Sequence, residues 1–86
     1  MTIKQIRYFI TAYELQNIAK AADQLFVSRP VISRALSDLE NEFGFSLFLR
    51  TGNGISPTEQ GQEIYKLLKA CSSTLEETIV LRRLLR

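Results

Sequence analysis

The sequence predicts a mainly α fold in which three helices and a two-stranded hairpin are followed by one long helix. Three observations carry this expectation. Apolar residues recur at helical spacing in successive stretches, each preceded by a residue that caps helices well. Thr51-Gly52-Asn53-Gly54 is a strong turn signal flanked by strand formers. Beyond Pro57, Ile64, Leu68, Cys71, Leu75, Thr78 and Arg82 repeat at alternating steps of four and three.

Each element has a local cause. Thr2 and Gln5 have the spacing of a capping box, and Ile3, Ile6, Phe9, Ile10 and Tyr13 give a first helix one apolar face from about residue 3 to about 15. Asn17 is expected to cap a second helix of about two turns, whose stripe is Ile18, Ala21, Ala22 and Leu25 and whose pattern Phe26-Val27 interrupts. Ser28 is expected to cap a third helix through its side chain. Pro30 is tolerated in its first turn because the amide that proline lacks would be unpaired there. Ile32, Leu36, Leu39 and Phe43 supply the inward face, and Gly44 ends the helix in a left-handed position. Phe45 to Arg50 predicts one strand and Ile55-Ser56 the return, while Pro57 and Thr58 open the final helix.

The chain has 86 residues, 45% of them hydrophobic, which suffices for one packed unit. Without a linker-like tract, the expected organisation is a body over 1–57 and a long helix over 58–86. Cys71 is alone and histidine is absent, so neither an internal disulfide nor a zinc site is expected. No paired nucleophile and base or glycine-rich phosphate loop is visible, which argues against an enzyme, and no cofactor or metal is predicted. No apolar run approaches the roughly 20 residues of a membrane span, and the N-terminus lacks a signal-peptide pattern, so a cytoplasmic location is expected. A net charge of +2 is too small to indicate nucleic acid, so a basic face must come from local arrangement.

That arrangement lies around Phe26-Val27. The flanking helices have helix-turn-helix spacing: Ala21 and Ala22 permit close approach, Leu25 and Val27 flank the turn, and Ile32 is buried beneath it. Packing the second helix across the third turns the third helix's first turns outward, presenting Ser28, Arg29, Pro30, Ser33 and Arg34 as one polar surface. No acidic residue stands between Asp23 and Asp38. An α-helix fits the major groove, and Arg29 is the candidate for bidentate pairing with a guanine edge, with Ser33 reaching a base or a phosphate. Arg34, one turn on, suits the phosphate backbone, as do Lys20 and the amides near Ile18 and Ala19. A solvated face in which Arg34 pairs with Asp38 is an equally regular use of the same spacing.

The run from Ala21 to Glu40, AADQLFVSRPVISRALSDLE, resembles the signature of LysR-type transcriptional regulators. Ile6-Arg7-Tyr8-Phe9, Glu42 through Phe48, Arg50, and Pro57 through Gly61 also stand where that family places similar residues, so the likeness covers 3 to 61 without a gap. It implies a winged helix-turn-helix that sets its third helix in the major groove and its hairpin wing beside the minor groove. It also implies dimerisation through the final helix. Carried over by position, Arg29, Pro30, Ser33 and Arg34 are recognition-helix residues, with Arg50 and Asn53 on or beside the wing. Three positions depart from the pattern. Arg29 stands where glutamine is usual, implying a guanine preference in place of an adenine one. Gly52-Asn53-Gly54 stands where relatives often carry arginines, implying weaker anchoring in a narrow minor groove. Leu15-Gln16-Asn17-Ile18 replaces a more usual glycine, serine and aromatic sequence, although Asn17 can still cap.

From Thr58 to Arg86 the final helix would be about 40 Å long at 1.5 Å per residue, more than so small a body can cover. One reading packs the whole stripe back on its own domain. The family reading packs the first turns inward, including Ile64 and Tyr65, and assigns Leu68, Cys71, Leu75, Leu81, Leu84 and Leu85 to a homodimer seam. A two-fold pair predicts a pseudo-palindromic DNA site with half-sites about one turn of ~34 Å, or a multiple, apart. Cys71 is expected to be a small apolar filler. The family's effector-binding domain lies outside this sequence, so no small-molecule site is expected here. Two alternatives remain at this level: a winged-helix module that binds protein, and a non-specific architectural DNA binder.

Overall fold

The computed structural model describes residues 1–52 and 54–70. Helices α1 (Ile3–Leu15), α2 (Ile18–Leu25) and α3 (Arg29–Phe43) lead into strands β1 (Phe48–Thr51) and β2 (Gly54–Pro57), and a further helix, α4, occupies 59–70. The fold is a mainly helical winged helix-turn-helix with one two-stranded antiparallel sheet.

Caps set the helix boundaries. Thr2 and Gln5 form the full capping box at α1, with Thr2 Oγ1 accepting from the Gln5 amide at 3.1 Å and Gln5 Oε1 accepting from the Thr2 amide at 2.9 Å. Asn17 Oδ1 accepts from the Lys20 amide at 2.9 Å and opens α2. Gly44 closes α3 at φ +81, where its N–H donates to the Glu40 carbonyl.

Ser28 corrects an expectation. It holds the N-cap position of α3 in extended backbone, yet its side chain makes no capping hydrogen bond. Pro30 has no N–H to offer, and the next amide, Val31, donates to the Ser28 carbonyl oxygen at 3.1 Å. The backbone of Ser28 does the work assigned to its hydroxyl, which stays exposed.

β1 starts at Phe48, not at Phe45. Phe45 stacks on Phe43 with ring centroids 5.7 Å apart, and the Leu47 amide donates to a Glu40 carboxylate oxygen at 2.7 Å. The Ser46 and Leu47 carbonyls accept from the Thr58 hydroxyl and amide. Residues 45–47 are thus held by α3 and the start of α4, which take the Leu47 amide and the Ser46 and Leu47 carbonyls away from a ladder. Strand pairing runs from Phe48↔Pro57 to Thr51↔Gly54.

Phe9, Ile32, Leu39 and Leu47 are the largest fully buried side chains, and Phe9 packs on Phe48 at 5.4 Å between centroids. Burial of each is worth about 1.5–3 kcal/mol, so the centre of this small body rests on few residues. Ala21 and Ala22 are buried where α2 crosses its neighbours. Ile3, counted in the inward stripe of α1, is 62% exposed because it lies a turn before the core begins.

α4 returns to the domain through Gly61, Ile64, Tyr65 and Leu68. A Cβ at Gly61 would collide with the Leu47 carbonyl oxygen, so glycine permits this close approach. Leu68 is 8% exposed and belongs to the core cluster of its own chain, which corrects its assignment to a dimer seam. Leu67, on the other side of the helix, is 65% exposed. Cys71, Leu75, Leu81, Leu84 and Leu85 lie outside the described residues, as does Asn53.

Candidate nucleic-acid interface

α2 and α3 make the helix-turn-helix. Phe26 takes a left-handed conformation at φ +58, its N–H donating to the Ala22 and Asp23 carbonyls, while the Val27 amide donates to the Ala22 carbonyl at 3.0 Å. This tight exit leaves the first turn of α3 projecting, with Ser28, Arg29, Pro30 and Arg34 exposed and Ser33 half-buried.

Ser33 and Arg29 border a groove of about 250 Å³. Its other walls are the start of α2, at Asn17, Ile18 and Ala19, and the wing, at Arg50, Gly54 and Ile55. Three parts of the chain therefore meet in one concave surface: the leading end of α3, the start of α2, and both strands of the wing. Of the sequence-predicted DNA contacts, Arg29, Ser33 and Arg50 line the groove. Ser28, Pro30, Arg34 and Lys20 are exposed outside it.

Two features missed by sequence reasoning hold this groove together. Gly54, at φ +151, lies so close to the α1–α2 turn that a Cβ would stand 2.5 Å from the Gln16 carbonyl oxygen, and the Ile55 amide donates to that same oxygen at 3.3 Å. The wing is thereby fastened to the start of α2. Glu40 fastens it to α3, one carboxylate oxygen accepting from the Leu47 amide at 2.7 Å and the Phe48 amide at 3.4 Å. Glycine after a turn hinted at Gly54; nothing in the spacing singled out Glu40.

Electrostatically the surface is open. Among the described residues the ion pairs are Met1 ammonium to Glu42 at 2.9 Å and Lys69 to Glu14 at 3.4 Å. Arg34 does not pair with Asp38, so the solvated-pair alternative is not the arrangement found, and Arg29, Arg50 and Lys20 likewise have no carboxylate partner among these residues. Arginine's five donors, unpaired with any carboxylate among the described residues, suit phosphate oxygens and guanine edges. No group of three or more His, Cys, Asp or Glu side chains among the described residues is placed to hold a metal. None of the described helices is long and apolar enough to cross a membrane.

A helix-turn-helix with a basic leading end, braced by a wing, defines a class of bacterial regulator domains, and comparison with known proteins names the family. Residues 3–62 match the family model described as bacterial regulatory helix-turn-helix protein, lysR family, and the chain belongs to that family. It is 32% identical over 77 residues to the RuBisCO operon transcriptional regulator of Allochromatium vinosum, covering 90% of this chain and 26% of that protein. It is 30% identical over 79 residues to the HTH-type transcriptional regulator BenM of Acinetobacter baylyi, covering 92% of this chain and 26% of BenM. The chain thus spans about a quarter of the length of these curated relatives. In structure it is similar to the BenM DBD in complex with catB site 1 DNA, with TM-score 0.93 and 28% identity over 99% of this chain and 96% of that one. It is also similar to the CbnR DBD–DNA complex, with TM-score 0.90 and 31% identity over 96% of this chain and 95% of that one.

Proposed function

We propose that this chain is the sequence-reading part of a cytoplasmic transcriptional regulator and binds double-stranded DNA as a homodimer on a pseudo-palindromic site. The observation that carries this reading is the groove, which gathers Arg29, Ser33 and Arg50 beside the α2 N-terminus while leaving the arginines without a carboxylate partner among the described residues. In the proposed complex, α3 enters the major groove with Arg29 leading and donating to O6 and N7 of a guanine. Ser33 reaches an adjacent base or phosphate. Arg34, Lys20 and the amides at the start of α2 hold phosphates and fix register. Arg50, on β1, places a cation at the flanking minor groove, with Asn53 the proposed contact at the wing tip. The BenM and CbnR DBDs, whose structures are complexes with DNA, support this reading through fold. Pairing of two chains is proposed for the residues beyond 70, through Cys71, Leu75, Leu81, Leu84 and Leu85.

Selection from a random duplex library, with the mass of the bound species measured by light scattering, tests the proposal. Enrichment of an inverted repeat with guanine in each half-site, occupied by two chains, is expected. Equal, salt-sensitive binding to every sequence would replace it with non-specific association.

A further inference from the structure

Away from the groove, α1 and α4 are joined by a cluster that DNA contact does not require. The Tyr13 and Tyr65 rings stack with centroids 3.9 Å apart and planes within 5° of parallel. The Tyr65 hydroxyl donates to Glu14 Oε2 at 2.7 Å, and the Lys69 ammonium approaches the same oxygen at 3.4 Å. Two successive residues of α1 thus grip two residues of α4 one turn apart. A stack with a directional hydrogen bond fixes the rotation of one helix on another more sharply than aliphatic contact, which tolerates sliding. The hydrogen bond to Glu14, then burial, then the Glu14 charge push the Tyr65 pKa up to about 12 from its ordinary 10. The hydroxyl is thus held protonated in the folded state, and the clasp weakens only as pH rises from about 10 through 12.

Resting on the homodimer reading above, we infer that the clasp of Tyr13, Glu14, Tyr65 and Lys69 is a spacing determinant: it sets the angle at which α4 leaves the domain and so the half-site separation that two recognition helices can occupy together. In the proposed homodimer each reading domain joins the pairing residues beyond 70 through α4, so rotation at the α1–α4 contact moves the two copies of α3 in opposite directions. Simultaneous engagement raises the effective concentration of the second domain, and that gain vanishes when geometry prevents both from seating. A rigid clasp concentrates it at one spacing; a loose one spreads it. The clasp residues touch no base in this scheme and act as positioning residues.

The test is the affinity of the full chain for duplexes whose half-sites are separated by a graded series of spacers, alongside a single half-site duplex and thermal unfolding. Wild type is expected to prefer one spacing by about tenfold or more, as avidity between rigidly oriented modules allows. Tyr65→Ala, which removes both stack and hydrogen bond, is expected to flatten that preference to about twofold while changing single half-site affinity less than about twofold. Tyr65→Phe keeps the stack and is expected to lie between them, and Glu14→Gln keeps an acceptor and provides a second folded variant. An unchanged spacing profile in folded Tyr65→Ala overturns the inference and leaves the DNA reading intact. Specific binding by wild type with no spacing preference overturns the clasp; if, in addition, no two-half-site duplex is bound more tightly than the single half-site, the homodimer reading falls with it, whereas no specific binding at all overturns the DNA reading beneath them.

Discussion

On the face where α2, α3 and the wing meet, Arg29, Arg34, Arg50 and Lys20 have no carboxylate partner among the described residues; where α1 meets α4, one Glu14 oxygen takes both Tyr65 and Lys69. The two faces belong to the same small body and use charge in opposite ways. An exposed cation left to water costs little, and a phosphate that reaches it displaces only solvent. An exposed ion pair adds little stability, but coupled to a stack and a directional hydrogen bond it specifies an orientation. Charge on the first face is left to solvent among the described residues. On the second it fixes how one helix lies on another.

The comparison breaks most visibly at Gly61, where α4 lies against the Leu47 carbonyl. Gly61→Ala is expected to cost about 2–3 kcal/mol, because the new methyl forces backbone apart, and urea unfolding measures it. The loss belongs wholly to the docked side of the molecule. A cost below about 0.5 kcal/mol, the range of surface substitutions, would mean that α4 shifts without penalty and does not hold a fixed angle.

Arg29→Ala probes the other face. It is expected to lose about 1–3 kcal/mol of discrimination between the selected site and one with its guanine replaced, measured by competition at fixed salt. Unfolding should move by less than about 0.5 kcal/mol, as for an exposed residue with no ion pair among the described residues. A matching fall in stability would show that Arg29 is structural and would erase the contrast between the faces.

What could be read in the sequence divides along the same line. Caps and periodicity are local, so α1, α2 and α3 are placed within a residue or so from Thr2, Asn17 and Gly44 alone. Ser28 marks the start of α3 as read, but its hydroxyl makes no capping bond because its neighbour Pro30 removes an amide it would have bonded. Phe45 misled because strand propensity says nothing of Phe43 or Thr58 competing for the same segment. Leu68 shows the limit of periodicity: a stripe states that a face is covered, not by what, and here the cover is the chain's own core. Arg29 and Ser33 follow from helix-turn-helix spacing, and Arg50 joins them through the family resemblance. Glu14 and Tyr65 are 51 residues apart, and no local pattern links them.

The smallest expected effect lies between the two faces, in the turn that joins α2 to α3. Phe26 is 94% exposed and sits at φ +58, a conformation that costs a non-glycine residue roughly 1–2 kcal/mol. Truncation to glycine removes almost no packing and relieves that strain. It also lengthens the list of unfolded conformations, returning roughly 0.5–1 kcal/mol of the gain. Phe26→Gly is therefore expected to raise stability by about 0.5–1 kcal/mol, read as a higher urea midpoint at unchanged slope. The amides of Phe26 and Val27 keep their bonds to Ala22 and Asp23, so the angle between α2 and α3, and with it the presentation of Arg29, should be preserved. A destabilised variant would show that the ring makes contacts that outweigh the strain, and the turn would then belong with the docked face rather than the open one.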